Sequence, residues 1–411
     1  HGDGPLSAGW RSDAVFEALD LCLACKGCKS DCPVDVDMAT YKAEFLAHYW
    51  KGRLRPRADY SMGWLPLAAQ VIGRLRAGPL VNALTGTPGL SRAAGVDPRR
   101  KVPRFAAQTL PQWFAARSAG GDGHRGEVVL WPDTFTAHLH PHVGQAAVEV
   151  LEDAGWRVVM PRQPLCCGLT WISTGQLDVA KRGLRRTVAA LAQHVRAGGL
   201  VVGLEPSCTA VFRADMAELL PDDQDAQRLA RHTVTLAELL REHTDGWRPA
   251  RLERTVLAQA HCHQHAVLGF EHDMALLRDM GADAEHLSSG CCGLAGNFGF
   301  QPGHFEVSRD CAEQVLLPRV RDADPDVVVL ADGFSCRTQV GQLDRGGRGA
   351  TPVAGLLNAA RRGECAPGPL ERVAGPRTAP PSRRAQAFAA IGTATPAVLA
   401  AAGVAALARR R

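Results

Sequence analysis

Cys22, Cys25, Cys28 and Cys32 are spaced C-x2-C-x2-C-x3-C, and Pro33 follows at once. Four soft thiolates at this stride can converge on one inorganic centre, and a run closed by Cys-Pro is the spacing that ligates [4Fe–4S] clusters. The chemistry implied is one-electron transfer. Ala24 and Gly27 are small, which lets backbone N–H groups approach the cluster sulfides. Zinc is the alternative, because four cysteines at short spacing also make a tetrahedral site. The three-cysteine stride and the Cys-Pro pair favour iron–sulfur. In two-cluster proteins of this kind, three cysteines of a run hold one cluster and the fourth completes its neighbour. A second such run is expected, and the chain does not contain one.

Further along, cysteines recur in a second pattern. Cys166-Cys167-Gly168 precedes Cys208, and Cys291-Cys292-Gly293 precedes Cys336 at nearly the same interval. Upstream of each doublet, the end of an apolar run bears Asp133 in the first copy and Cys262 in the second. The second copy offers Cys262, Cys291, Cys292 and Cys336, enough for another cluster, with a structural zinc site or inert buried thiols as the alternatives. His261, His263 and His265 flank Cys262 as ligands, supporting donors or proton carriers. The first copy is incomplete: Cys166, Cys167 and Cys208 are joined only by Asp133 and Glu205, and carboxylate oxygens fit iron–sulfur clusters poorly. An empty site there would leave a pocket for an acceptor molecule. Cys311 and Cys365 fall outside the pattern and read as structural, and His140 and His142 read as surface residues.

These residues must be positioned by the elements around them. Ser12 to Leu23 reads as a short helix with Phe16, Leu19 and Leu23 on one face, and a second helix starts after Asp37 with Met38, Tyr41, Phe45 and Tyr49 on one face. A helix, cysteine loop, helix order is that of an α-helical ferredoxin module, here residues 1–52. Residues 53–124 form a helical connector ending in the linker Gly120-Gly121-Asp122-Gly123. Beyond it, strands and helices alternate twice, over 125–250 and 251–363, as in parallel sheets flanked by helices. The expected fold is therefore α/β: a small α-helical ferredoxin module followed by a duplicated α/β domain. Each copy brings its cysteines to strand ends, where open α/β sheets place ligands.

Composition bounds the function classes. The chain has 411 residues, 46% hydrophobic and 22% charged, with a formal net charge of +5 and only three tyrosines. That is long enough for several domains, and no basic patch is interleaved with aromatics as in a nucleic-acid groove. The 13 cysteines lie in doublets and short-spaced sets with no signal peptide before them, which implies reduced thiolates in a cytoplasmic compartment. No G-x-G-x-x-G, P-loop or G-x-S-x-G motif is present, so no flavin or nicotinamide site is legible. Residues 364–411 are rich in Pro, Ala and Arg; Ala385–Ala408 is uncharged and ends at three arginines, which is long enough to span a bilayer but dominated by alanine.

The doublets with Cys208 and Cys336, joined to the first run, resemble the cysteine-rich (CCG) domain family. Its members include the cysteine-rich subunit of heterodisulfide reductase, the iron–sulfur subunit of glycolate oxidase and a subunit of anaerobic glycerol-3-phosphate dehydrogenase. The stretches CLACKGCKSDCPVDVDMATYKAEF, GLEPSC, HCHQ, SGCCGLAGNFGF and DGFSCR resemble the C-terminal half of fused FAD-linked oxidases of D-lactate or D-2-hydroxyglutarate. The likeness covers about residues 10 to 360. It implies that Cys22, Cys25, Cys28 and Cys32 are a second ferredoxin run, with the first run and the FAD upstream of His1. It implies that Cys262, Cys291, Cys292 and Cys336 are a CCG metal site, and that electrons pass from a flavin dehydrogenase domain to a quinone or other acceptor. The expected site is cytoplasmic, with a possible peripheral contact at the inner face of the membrane. The fuller family motif ends in C-x2-C; here Glu205 and Gly333 take its first position, and Asp133 replaces the leading cysteine. Two other readings remain open: a heterodisulfide or thiol reductase acting on a sulfur substrate, and a zinc-stabilised interaction module.

Overall fold

The computed structural model describes residues 9–85, 88–118 and 120–373. The Ala-rich run 385–408 lies outside the described residues. Among those that are described, no helix is long and apolar enough to cross a membrane.

Among the described residues, seven short strands form two parallel sheets. The first holds β1 (Glu127–Leu130), β2 (Arg157–Val159), β3 (Leu200–Gly203) and β4 (Thr233–Thr235) in the order β2-β1-β3-β4. The second holds β5 (Thr255–Ala258), β6 (Asp283–His286) and β7 (Val328–Leu330) in the order β6-β5-β7, and Thr351 extends it by a parallel bridge to Leu330. The two orders correspond strand for strand, so the duplication is structural and the fold is α/β with parallel sheets. Parallel strands are covered on both faces, which explains why they read as unbroken apolar runs.

Alternation along each strand divides the core into layers. Val128, Leu130 and Val202 of the first sheet, and Val256, Ala258, Val328 and Leu330 of the second, enter one shared core. The opposite faces are separate: Val129, Trp131 and Val201 pack under the helix Leu177–Arg196, while Leu257 and Val329 pack under Leu316–Asp322. The helices Pro141–Asp153 and Val353–Arg361 pack directly on each other, tying the repeats together.

The N-terminal elements wedge against both repeats. Helices Asp13–Asp20, Gly27–Asp31 and Met38–Tyr49 enclose the cysteine loop. Helix 38–49 buries Ala43, Phe45, Leu46 and Tyr49, while Tyr41 is exposed. The buried face is rotated from the expected one, because the burying surface comprises Phe16 stacked on Tyr49 and the helix Leu169–Ser173, not one neighbour alone. Five helices between Arg57 and Ala116 make the connector. Arg55 donates to the carbonyl oxygens of Thr174 and Gly175 in the first repeat, and Arg100 to that of Gly299 in the second.

Candidate metal centre

Each sequence-predicted ligand outside the first run lies just beyond the C-terminal end of a parallel strand: Asp133 after β1, Cys166 and Cys167 after β2, Cys208 after β3, Cys262 after β5, Cys291 and Cys292 after β6, and Cys336 after β7. The two doublets have matching local geometry. Gly168 and Gly293 both sit at φ +84°, and their N–H groups donate to Cys166 Sγ at 3.3 Å and Cys291 Sγ at 3.4 Å. A residue with a Cβ is strained in that left-handed conformation. At Gly293 a Cβ would also come within 2.1 Å of the Ser308 carbonyl oxygen. The glycine turns the chain so that adjacent cysteines need not point to opposite sides.

Beyond this shared turn the repeats diverge. In the second, the thiols of Cys262 and Cys291 act on each other and on Cys25, and those of Cys291 and Cys336 act on Cys292. Five cysteines from two distant parts of the chain thus form one group. Hydrogen bonds from Cys262 and Cys291 hold Cys25 down at about 2, and those from Cys291 and Cys336 hold Cys292 well below the ordinary thiol range. Burial drives the neighbouring imidazoles neutral, His261 down to about 4 and His263 to about 3.

Arg100 faces this group. Its side chain is 4% exposed and bonds only neutral acceptors: Gly299 O at 2.8 Å, Gln339 Oε1 at 2.8 Å and Ser308 Oγ at 2.7 Å. Burial lowers it to about 10, with Cys292 the foremost charge opposing that shift. A buried cation without a carboxylate partner is costly unless an anion lies close. A thiolate-ligated cluster is such an anion, so donor chemistry and buried charge both fit an iron–sulfur centre here. Cys262, Cys291, Cys292 and Cys336 would hold it, with Cys25 of the first run facing them.

The first run is not gathered around one centre in this structure. Cys25 turns toward the second repeat, and Cys28 Sγ accepts the Met38 N–H at 3.4 Å. Cys22 lines the same cavity as Cys25. The loop is fixed by Lys26, which has φ +63° and is 4% exposed. Its Nζ lies 2.8 Å from Asp37 Oδ2 and 2.9 Å from Asp215 Oδ1, which clamps the loop to the first repeat. Nothing in the spacing of cysteines points to Lys26. The one available signal is that lysines 26 and 29 lie inside the run of a chain whose cations are almost all arginine.

In the first repeat the thiols satisfy one another: Cys167 donates to Cys208 Sγ at 2.9 Å. That bond works to lower Cys208, but burial and the nearby Asp133 and Glu205 outweigh it and hold the thiol up at about 12. Asp133 caps the helix Thr134–His138, accepting the Thr136 N–H at 2.8 Å, an N-cap use of a carboxylate. Glu205 Oε1 accepts from Ser207 Oγ at 2.9 Å, and its Oε2 accepts from the Phe334 N–H at 2.8 Å across the repeat boundary. His140 and His142 are half-buried rather than exposed. Their Nδ1 atoms are buried without hydrogen-bond partners and burial lowers the rings to about 3 and about 4; Phe334 of the other repeat lies against His140, which in turn lies against His142.

Burial, with a contribution from Asp133, lifts Glu205 from 4.5 to about 7. Between these values the folded chain holds a proton that the unfolded chain has released, so stability falls as pH rises. The loss is complete above about 7 and amounts to about 3 kcal/mol at ~1.4 kcal/mol per pKa unit. Denaturant midpoints at pH 5 and pH 8 are expected to show this loss in the native chain. Glu205→Gln should remove most of it, and an unchanged difference in the variant would assign the effect elsewhere.

A cavity of about 360 Å³ lies among the N-terminal module, the connector and both repeats. Cys22, Cys25, Cys262, His261, His263 and Glu205 line one part of it, and Phe135, Leu139, Phe298 and Phe334 line another. It is an apolar space with thiols, imidazoles and a carboxyl at its wall, the composition of a site for a small organic molecule.

Such strand-end cysteine sets on a duplicated parallel sheet define an iron–sulfur oxidoreductase component of the CCG type. The family described as "CCG: Cysteine-rich domain" matches residues 133–213. Lactate utilization protein A of Bacillus velezensis is 31% identical over 231 residues, 53% of this chain and 92% of that protein. The chain belongs to that family, the cysteine-rich proteins that resemble the iron–sulfur half of FAD-linked oxidases. It is also similar to a subunit of the anaerobic glycerol-3-phosphate dehydrogenase of Escherichia coli (strain K12), 26% identical over 64% of this chain and 67% of that protein. D-2-hydroxyglutarate dehydrogenase of the same strain is 27% identical over 84% of this chain but only 35% of its own length. The chain therefore spans about a third of that enzyme. These relatives place it among the oxidoreductases.

Proposed function

We propose that this chain is the iron–sulfur electron-transfer portion of an FAD-linked D-2-hydroxyacid dehydrogenase, acting on D-lactate or D-2-hydroxyglutarate. A flavin dehydrogenase domain, fused or separate, holds the FAD and takes hydride from the hydroxy acid. Electrons then reach a quinone or another acceptor through this chain at the cytoplasmic face of the membrane. Cys22, Cys25 and Cys28 serve a [4Fe–4S] cluster, and Cys32 completes its neighbour. The second repeat holds a further centre.

The observation that carries this reading is that Cys25 and Cys262 line one cavity, with the helix Gly27–Asp31 packed on the turn Gln264–Leu268. One thiol of the electron-receiving run lies against the thiols of the second repeat, so two centres held there would be close enough for rapid exchange. Iron–sulfur clusters, when bound, supply one-electron carriers whose potentials depend on burial and on N–H donors to sulfur. The protein provides both in the second repeat, through the buried Cys292 and the Gly293 N–H on Cys291 Sγ. An apolar cavity beside Cys25 and Cys262 supports the reading of an acceptor next to them.

The test is anaerobic reduction. The full-length protein, with its flavin partner present, is purified without oxygen and mixed with D-lactate or D-2-hydroxyglutarate. Bleaching of the sulfur-to-iron absorption at the rate of flavin reoxidation is expected. Turnover of a heterodisulfide without any hydroxy acid would favour the thiol reductase reading. A colourless protein with stoichiometric zinc would establish the interaction module instead.

A further inference from the structure

Two imidazoles beside Cys262 have no role in a relay built from thiols alone. A ring nitrogen of His261, the sulfur of Cys262 and a ring nitrogen of His263 lie within 4.8 Å of one another. Both histidines are more than nine-tenths buried. The two rings stack, with centroids 5.2 Å apart and planes at 14°. Yet the two are not equivalent.

His261 is already engaged. Its Nδ1 accepts the backbone N–H of His263 at 3.1 Å, so its neutral ring bears the proton on Nε2. Its ring also fills the space in front of Gly333, where a Cβ would come within 2.1 Å of His261 Cδ2. Gly333 stands three residues before Cys336, as Glu205 stands three before Cys208. Thus where the first repeat places a carboxylate, the second clears the position and installs an imidazole. Glycine at 333 follows from that exchange.

His263 is the ring left without a partner. Its Nδ1 is buried and makes no hydrogen bond. An unsatisfied buried polar atom costs about 1–3 kcal/mol, so a residue kept there has a use for it. The His263 backbone is held by His261, and the ring is held by stacking on it, which is how supporting residues orient a metal-binding imidazole. Cys25 acts on His263 from the facing loop. His265, two residues on, is exposed and pairs with Asp31 at 2.8 Å, so it lies outside the group.

We propose that His263 supplies a nitrogen ligand to the metal–sulfur centre at Cys262, with His261 as the positioning residue. The inference rests on the reading of that centre as iron–sulfur. Nitrogen is an accepted donor to such iron, whereas a carboxylate is a poor one, which matches a loaded second repeat beside a first repeat that bears Glu205. A neutral imidazole in place of a thiolate removes one negative charge from the centre. The reduced state then forms more readily, the direction in which histidine ligation shifts iron–sulfur potentials.

The experiment uses the full-length protein, purified without oxygen and reduced, with pulsed EPR as the readout. Strong nitrogen hyperfine coupling is expected, changing isotope pattern when the cells are grown on 15N-histidine; this arm needs no variant. His263→Cys should remove the coupling and lower the midpoint potential by at least 59 mV, a tenfold change in the one-electron equilibrium. His265→Ala should change neither. An iron–sulfur signal without histidine nitrogen coupling would overturn the assignment while leaving the electron-transfer role intact. Coupling that persists in His263→Cys with an unchanged potential would also overturn it. Absence of any iron–sulfur signal would instead remove the reading beneath it.

Discussion

Cys262→Ser is expected to strip the centre from the second repeat, whereas Cys208→Ser leaves the protein's iron unchanged. Cys262 is the thiol that meets both Cys25 of the N-terminal loop and Cys291 of the doublet. A serine hydroxyl is a hard donor that holds its proton at neutral pH, so it replaces a thiolate ligand poorly. Loss of a supporting residue alone costs about 10–100-fold in metal affinity, and loss of a ligand should cost at least that. Electron flow from hydroxy acid to acceptor should fall by about 100-fold or more. Cys208 differs because its sulfur already accepts the Cys167 thiol at 2.9 Å and its nearest charges are the carboxylates of Asp133 and Glu205. Iron and acid-labile sulfide per chain, measured on both variants beside the native protein, decide the matter. Equal iron in Cys262→Ser and native protein would place the centre elsewhere. A loss in Cys208→Ser matching that in Cys262→Ser would show that the first repeat is loaded too.

Lys26→Met should cost about 3–5 kcal/mol of stability, the usual effect of breaking a buried ion pair from one side. The methionine fills the same volume but leaves Asp215 buried without its cation, while the half-buried Asp37 keeps only Lys29 at 3.7 Å. Asp215 is the more exposed to this loss in energy, because its Oδ2 is already buried and unpartnered and burial raises its pKa against the pull of Lys26. Adding Asp215→Asn should return a substantial part of the loss, since a neutral amide does not need the ammonium. Unfolding in urea, followed by tryptophan fluorescence, gives all three values. Should Lys26→Met unfold within about 1 kcal/mol of the native chain, the clamp is a surface pair in effect and the loop is held by other contacts. The same variant should loosen Cys25 from Cys262, because Lys26 fixes the loop between them.

Part of this is legible without coordinates. The duplication, the parallel α/β fold and the placement of Cys166, Cys167, Cys208, Cys262, Cys291, Cys292 and Cys336 at strand ends follow from spacing along the chain. Local rules suffice for them: an apolar run makes a buried strand, and a ligand just after it lies at the sheet edge. The glycine after each doublet is readable for the same reason, since its left-handed turn depends on its own φ and little else. Faces of helices are less secure. Tyr41 matches the helical period yet is exposed, because which side of a helix is covered depends on what packs there.

What the sequence determined by itself is the two kinds of cysteine set and the order of elements that presents them. Only the tertiary structure decided which cysteines meet. It brought Cys25 to Cys262 and Cys291, set Arg100 against Cys292, and let Glu205 reach the Phe334 N–H of the other repeat. It also explained Gly333 by the ring of His261 and left His263 Nδ1 without a partner. These contacts join residues far apart in the chain, so no local period or motif encodes them. They arise when two sheets share one core and an N-terminal loop is clamped between them by Lys26.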